Sequence, residues 1–170
     1  AGPGSYIIGE EEKQALLEVV ERGYLFRYGD KKDPAFLAKV WQLEREVAKY
    51  FGIPHTVACN SGTSALWIAL GALGVGPGDE VITACNTFIA TSEAITHAGA
   101  TPVFVDVEES TQLIDADAVR AAVTPKTRAI IPVHLYGQPV DMDAMRAIAD
   151  EHGLKIIADA AQAHGADIDG

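Results

Sequence analysis

Residues 155–166 read Lys-Ile-Ile-Ala-Asp-Ala-Ala-Gln-Ala-His-Gly-Ala, and this is the most informative stretch of the chain. Its short apolar run is bounded by polar residues, a pattern typical of a buried parallel strand. The run ends in a carboxylate, Asp159, and an amide, Gln162, follows three residues later. Ligands of open α/β sheets bind beyond the carboxyl ends of the strands. Asp159 is therefore well placed to hold a positively charged ring nitrogen.

Short apolar runs alternate with helical patterns from His55 onward. The predicted strands cover residues 56–60, 80–84, 102–106, 128–133 and 154–159, and the predicted helices cover residues 63–73, 89–98, 115–123 and 141–152. Asp115 and Asp141 precede two of these helices as candidate N-caps. A repeated strand–helix–strand order predicts an α/β domain with a parallel sheet.

The first third of the chain has a helical pattern instead. One helix is predicted over residues 10–21, and a second starts near Pro34 with Asp33 as its N-cap. We therefore expect an N-terminal helical arm over residues 1–54 and an α/β domain over residues 55–170. The loop between the two helices carries three aromatic residues and an arginine. It either covers the core or reaches an active site, which could be that of a neighbouring subunit.

The composition excludes several classes of partner. The 170 residues are 48% hydrophobic and 22% charged, which suits one globular domain with a core. A formal net charge of −11 argues against nucleic acid or an anionic membrane surface as a partner. No apolar run reaches the ~18–20 residues that span a bilayer. The first five residues also lack the pattern of a signal peptide. A cytoplasmic location is therefore expected.

The two cysteines do not indicate a metal site or a disulfide framework. Cys59 and Cys85 lack metal-ligand spacing, and each lies at the polar end of an apolar run. We expect both to be buried, reduced thiols, and we expect no bound metal.

Residues 60–67, Asn-Ser-Gly-Thr-Ser-Ala-Leu-Trp, follow the first predicted strand and open a helix. Free N–H groups and the helix dipole make such a helix start a favourable anion site. The hydroxyl groups of Thr63 and Ser64 add donors, so a phosphate would fit there. The alternative is an ordinary helix cap, because Ser, Gly and Thr are common in caps.

Other polar and aromatic residues lie at the same predicted rim. Phe88 either stacks on a planar ring or closes the core. Asp159 either faces a ligand or pairs with a helix N-terminus or an arginine, because a buried, unpaired carboxylate is costly. His134 and His164 either line the pocket or have a structural role.

Five motifs in order together resemble one family of enzymes. They are residues 60–66 (Asn-Ser-Gly-Thr-Ser-Ala-Leu), 76–82 (Gly-Pro-Gly-Asp-Glu-Val-Ile), 86–91 (Asn-Thr-Phe-Ile-Ala-Thr), 132–137 (Pro-Val-His-Leu-Tyr-Gly) and 159–165 (Asp-Ala-Ala-Gln-Ala-His-Gly). This set closely resembles the DegT/DnrJ/EryC1/StrS family of pyridoxal-phosphate-dependent sugar and cyclitol aminotransferases. The resemblance implies the large domain of a fold type I, aspartate aminotransferase-like transferase. It also implies that the rest of that domain and a C-terminal small domain are absent from this chain.

The resemblance assigns roles to individual residues on the phosphate side. Gly62, Thr63 and Ser64 would hold the phosphate of pyridoxal 5'-phosphate (PLP). They would hold the same phosphate in pyridoxamine 5'-phosphate (PMP), the form that the cofactor takes after the first half of a transamination. Phe88 would stack on the pyridine ring.

The resemblance also assigns roles to two residues of the motif at residues 159–165. Asp159 would pair with the protonated ring nitrogen and keep it charged, which the cofactor needs as an electron sink. Gln162 would meet the phenolic oxygen. The Schiff-base lysine of the family lies beyond Gly170. Lys155 is no substitute, because four strand residues place its Cα on the order of 13 Å from the rim.

The resemblance implies an enzyme that converts a keto-sugar or keto-cyclitol to its amino derivative, with glutamate or glutamine as donor. It also implies a homodimer. One alternative is a sugar dehydratase of the same family, in which histidine replaces the lysine. Another is a non-catalytic fragment or regulatory relative. A dinucleotide-binding domain is disfavoured, because the first strand–helix turn has one glycine and no acid ends the second strand.

Overall fold

The computed structural model describes residues 6–168, which form two compact units: one ends at Ala58 and the other begins at Cys59. Residues 1–5, for which the sequence predicts no signal peptide, lie outside the described residues. So does Gly170, beyond which the lysine is expected. The division of the chain into an arm over residues 1–54 and part of a transferase domain remains a prediction.

The first unit contains two helices, α1 (Glu10–Arg22) and α2 (Lys39–Phe51). The first agrees with the predicted helix, and Gly23 ends it in the left-handed conformation. The predicted start of the second near Pro34 is wrong. Asp33 accepts a hydrogen bond from the Ala35 amide (2.9 Å) in a turn, and Ala38 is left-handed (φ 51°), so no helix can run continuously from residue 34.

The aromatic loop of the first unit is largely exposed. Leu25, Phe26 and Tyr28 face solvent within this unit, whereas Tyr24 packs against the buried Phe36 with ring centroids 5.0 Å apart. One of the three aromatic residues of the loop therefore covers buried apolar surface, as the first alternative predicts. Arg27 pairs with Glu44 and donates to the Ala58 carbonyl oxygen (2.7 Å). The loop's predicted reach to an active site remains a prediction.

The second unit contains a parallel sheet, as predicted, but with four strands in the described residues and not the five expected. Helices and strands alternate in the order α3 (Gly62–Ala72), β1 (Glu80–Ala84), α4 (Ala90–His97), β2 (Thr101–Val105), α5 (Ala116–Ala122), β3 (Thr127–Ile131), α6 (Met142–His152) and β4 (Lys155–Ile156). The strands lie in the order β2-β1-β3-β4, and every neighbouring pair is parallel. The predicted caps are confirmed, because the side chains of Asp115 and Asp141 accept hydrogen bonds from main-chain amides in the first turns of α5 and α6.

The two central strands of the sheet, β1 and β3, are almost entirely buried, and helices cover both faces of β1. Val81 packs with α3 and α4 through Leu70 and Ile95, whereas the next residue, Ile82, packs with α5 and α6 through residues such as Met145. Side chains of a strand alternate between faces, so consecutive apolar residues serve two separate helical layers. Each fully buried aliphatic side chain of this kind contributes about 1.5–3 kcal/mol. The core therefore holds the strand ends at defined positions.

The first predicted strand does not form. Residues 56–60 lie in no ladder of the described part of the chain. The amide of Ala58 donates to Glu44 Oε1 (2.8 Å), so a side chain takes the place of a partner strand. A strand pattern supplies apolar alternation, but a ladder also needs a neighbouring backbone.

The last predicted strand is shorter than expected, and the predicted burial of both thiols is wrong. β4 ends at Ile156, and an isolated parallel bridge joins Asp159 to Val133. Cys59 and Cys85 are free but exposed, because Cys59 precedes α3 outside any strand and Cys85 follows the last residue of β1.

Candidate functional site

A cavity of about 230 Å³ opens at the carboxyl ends of the strands in the second unit. It is lined by Gly62, Thr63, Leu66, Thr87, Phe88, Ala90, Thr91, Val133, Asp159, Ala161 and Gln162. Its volume is below the roughly 300–1,000 Å³ of sites for drug-sized ligands. The cavity therefore suits a compact ligand with one ring.

Helix α3 begins at one wall of the cavity. Ser61 caps it: its Oγ accepts from the Ser64 amide (3.1 Å) and its carbonyl oxygen accepts from the Ala65 amide (3.0 Å). The amides of Gly62 and Thr63 belong to the first turn and have no acceptor within the helix. Two main-chain donors, reinforced by the helix dipole, thus remain for an anion.

Phe88 lies on the second wall and is 70% exposed. Of the two interpretations, closure of the core is therefore wrong. A phenyl ring with that much free surface beside a cavity can stack on a planar ligand ring.

Asp159 lies on the third wall, held by its main chain. Its amide donates to the Pro132 carbonyl oxygen (2.9 Å), and its own carbonyl oxygen accepts from the His134 amide (3.0 Å). In the side chain, Oδ1 accepts from the Ala161 amide (3.0 Å). Within residues 6–168 no arginine or lysine pairs with this carboxylate, so one oxygen is left to meet a cationic ligand.

Gln162 lies beside Asp159 and is oriented by a main-chain donor. Its Oε1 accepts from the Tyr136 amide (2.8 Å). The other end of the carboxamide, the NH₂ group, is a donor with no partner among the described residues. The cavity thus combines an anion-binding helix start, an exposed ring, a carboxylate and an amide donor.

The cavity brings together five of the six residues singled out in the sequence: Gly62, Thr63, Phe88, Asp159 and Gln162. Ser64 does not line it, and its Oγ accepts from Ser61 Oγ (2.9 Å).

Neither histidine considered for the pocket lines the cavity. His134 Nδ1 accepts from the Val140 amide (3.0 Å), so His134 has the structural role. Burial lowers the pKa of His134, and the negative charge of Asp159 partly opposes that shift.

Sequence reasoning missed Thr87 and Thr91. Both line the cavity, and their hydroxyl oxygens lie 2.9 Å apart. Thr91 is buried in the structure. The available signal was the spacing of four residues, which places two side chains on the same side of a helix start.

Two other classes of feature are missing from residues 6–168. No cluster of three or more His, Cys, Asp or Glu side chains has the arrangement of a metal site. None of the helices there has the length and apolar character to cross a membrane.

The model of the DegT/DnrJ/EryC1/StrS aminotransferase family matches residues 6–170. A curated relative from Acidithiobacillus ferrooxidans, UDP-N-acetyl-3-dehydro-alpha-D-glucosamine 3-aminotransferase, is 56% identical over 128 residues, which cover 75% of this chain and 35% of the relative. The chain spans about two fifths of the length of the curated relatives it matches.

Two solved structures have the same fold. DesV of S. venezuelae, in complex with a ketimine intermediate, superposes with a TM-score of 0.80 at 44% identity, covering 92% of this chain and 40% of DesV. NtdA of Bacillus subtilis, with bound cofactor PMP, superposes with a TM-score of 0.82 at 38% identity, covering 93% of this chain and 35% of NtdA.

Proposed function

Because the chain belongs to the DegT/DnrJ/EryC1/StrS aminotransferase family, we propose that it supplies the cofactor half of a PLP-dependent sugar aminotransferase. One observation carries the proposal. A single small cavity joins the free amides at the start of α3, the exposed Phe88 ring and the unpaired oxygen of Asp159. A phosphate, a flat ring and a cationic ring nitrogen are the features that PLP presents.

The residues present fit this cofactor. The Gly62 and Thr63 amides would hold the phosphate, the Phe88 ring would cover one face of the pyridine, and the NH₂ of Gln162 would donate to the phenolic oxygen. Ser64 joins the phosphate side as a predicted ligand, although its hydroxyl is engaged by Ser61. When bound, the cofactor would supply an electron sink for the carbon that carries the amino group.

Asp159 has the role of an electronic tuner. A carboxylate beside the ring nitrogen raises the pKa of that nitrogen and keeps its proton in place. The main-chain bonds to Pro132 and His134 fix the position of Asp159 before any ligand enters. A charge held in advance in this way needs little reorganisation during the reaction.

The catalytic lysine is proposed to lie in the remainder of the full-length protein. Within the described residues no lysine lines the cavity, and Lys155 begins the strand segment that leads to Asp159. There the lysine would form the covalent link to the cofactor and move the proton of the substrate carbon.

The substrate is proposed to be a nucleotide-linked keto-sugar, with glutamate or glutamine as amino donor. The support is similarity, since relatives such as the Acidithiobacillus enzyme are named as aminotransferases or transaminases of nucleotide-linked sugars. A keto-cyclitol remains a narrower option within the same proposal. The working form is proposed to be a homodimer in the cytoplasm.

The experiment compares the full-length protein with its Asp159→Asn variant after reconstitution with PLP. Asparagine preserves the shape of Asp159 but cannot keep the ring nitrogen charged. We expect both proteins to bind the cofactor and the variant to lose on the order of 10²–10³-fold in turnover, the scale of a lost preorganised electrostatic contact. Cofactor absorbance and transamination of a keto-sugar are the two readouts.

Asp150→Asn is the matched control, because Asp150 is an exposed acid on α6. Full turnover in Asp159→Asn would contradict the role of Asp159. If the wild-type protein bound no PLP, the cofactor proposal itself would be wrong. Dehydration of the sugar without transfer of an amino group would instead identify the dehydratase alternative.

A further inference from the structure

Tyr136 has a main-chain conformation that is costly for its residue type. Its φ of 58° and ψ of 23° are left-handed, where a Cβ crowds the following carbonyl oxygen. Among residues 6–168 only Ala38, Gln112 and Tyr136 combine a side chain with a positive φ. Of these, Tyr136 alone contacts a residue that lines the cavity. Backbone strain of this kind persists where the surrounding structure enforces it.

The turn around Tyr136 is anchored from both sides. The Leu135 amide donates to the Val133 carbonyl oxygen (2.9 Å), and Leu135 itself is buried. On the other side, the Val140 amide donates to His134 Nδ1 (3.0 Å). The tyrosine ring does not hold the turn in place, since Tyr136 is 77% exposed. The main chain of Tyr136 is thus fixed by its neighbours.

The contact to Gln162 has only one chemically possible orientation. A main-chain N–H can only donate, so the carboxamide must turn its oxygen to Tyr136, as the 2.8 Å contact to Oε1 shows. The planar carboxamide then presents its NH₂ group away from Tyr136. A free glutamine could offer either end to a ligand, whereas this one offers a donor.

We propose that Tyr136 is a positioning residue: its left-handed main chain orients Gln162 so that the NH₂ group faces an anionic ring oxygen of the cofactor. This inference rests on the proposed function. A carboxamide in the opposite orientation would place an acceptor against an oxyanion, and the two would repel. The turn therefore selects a pyridine that carries an ionised hydroxyl group.

The test measures the affinity of the full-length protein for PMP and for a PMP analogue that lacks the ring hydroxyl. Neither ligand needs the covalent lysine, so the readout is independent of turnover. Tyr136→Val places a β-branched residue in the left-handed conformation, which such residues disfavour. Tyr136→Asn places asparagine there, the residue type that, after glycine, best tolerates this conformation. Both changes remove the tyrosine ring, so their difference reports on the main chain.

We expect Tyr136→Val to weaken PMP binding by about 10-fold or more and to leave binding of the analogue within about 2-fold, the scale of one hydrogen bond to a charged group. Tyr136→Asn is expected to match the wild type. Gln162→Glu can still accept from the Tyr136 amide but presents an oxygen to the ligand. It should therefore weaken PMP binding by about 10- to 100-fold, with little effect on the analogue.

Two results would overturn this inference while the cofactor assignment stands. One is an equal loss of affinity for PMP and for the analogue in Tyr136→Val. The other is an unchanged affinity for PMP in both Tyr136→Val and Gln162→Glu. If Tyr136→Val does not fold, Gln162→Glu and Tyr136→Asn decide the matter in the same assay. Failure of the wild-type protein to bind PMP would overturn the proposed function and this inference together.

Discussion

The two sides of the cavity offer a ligand different parts of the chain. At the start of α3 the donors are the main-chain amides of Gly62 and Thr63. On the opposite side the groups are the side chains of Asp159 and Gln162, each oriented by further main-chain bonds. Main-chain donors are present for almost any residue type, whereas a carboxylate and a carboxamide must be the right residues in the right orientation. The α3 side should therefore tolerate side-chain changes that the Asp159 side does not.

The largest effect we expect on the α3 side comes from Gly62→Pro. Proline is accepted at the first position of a helix, and the extended Ser61 before it is compatible with proline, so the change chiefly deletes one amide donor. Loss of a bond to a charged phosphate corresponds to about 10- to 100-fold weaker binding. Isothermal titration of the full-length protein with PMP measures it.

Gly62→Ala is the matched control for that change. Apart from the adjacent residues and the backbone of α3 itself, no protein atom lies within 4 Å of a Cβ at residue 62, and the amide is retained, so PMP affinity should stay at the wild-type level. An equal loss of PMP affinity in both variants would mean that the added side-chain atoms, and not the missing amide, weaken binding.

A smaller effect is expected from Phe88→Leu, which keeps an apolar group but removes the ring face. Aromatic stacking contributes about 0.5–1.5 kcal/mol beyond burial, so PMP affinity should fall about 2- to 10-fold. Phe88→Tyr should retain it. Because Phe88 is largely exposed, thermal unfolding should be almost unchanged. A large drop in the melting temperature would assign Phe88 to the core instead.

The stability of the fold on the Asp159 side of the cavity should also depend on pH, because His134 titrates there. Burial lowers the pKa of His134 in the folded state, so the unfolded chain takes up the proton more readily. Its contribution to stability is present above the unfolded value near 6.5 and is lost as the pH falls below that value. Urea unfolding between pH 7 and pH 5 should show this loss.

His134→Asn is the variant that isolates this residue. Asparagine offers an oxygen to the Val140 amide but does not titrate, so the slope of stability against pH should be flatter than in the wild type. An unchanged slope would assign the pH dependence to other groups.

The smallest effect is expected from Ser64→Ala. The Ser64 hydroxyl contacts Ser61 and does not line the cavity, so PMP affinity should change by less than about 2-fold. Thr63→Ala, at a residue that lines the cavity, should cost about 2- to 10-fold, as for one neutral hydrogen bond. A larger loss in Ser64→Ala would show that its hydroxyl turns to the ligand.

Several parts of the site could be predicted because they depend on strand ends. Apolar runs place Phe88 and Asp159 just after β1 and β4, and parallel strands bring their carboxyl ends to one edge. The contact of Gln162 with Tyr136 could not be predicted, because the two residues are 26 positions apart and no residue pattern encodes a left-handed tyrosine.

The errors have a common cause. Residues 56–60 carry a strand pattern but have no partner backbone in the described chain, and the α2 start was displaced by a turn at Asp33 and a left-handed Ala38. The residue pattern of a segment indicates only which secondary structure that segment prefers. Whether a strand finds a partner, and where a turn interrupts a helix, depends on the surrounding chain.

From the sequence alone came the alternation of helices and strands, the caps at Asp115 and Asp141, and the residue types that a phosphate and a cationic ring would need. Three further points follow only from the folded chain: which of those residues share a cavity, that Ser64 is not among the lining residues, and which end of Gln162 is free. The physical reason is that burial and capping preferences act over a few neighbouring residues. A hydrogen bond such as that from Tyr136 to Gln162, by contrast, exists only once the sheet has brought distant main chain and side chain within 3 Å.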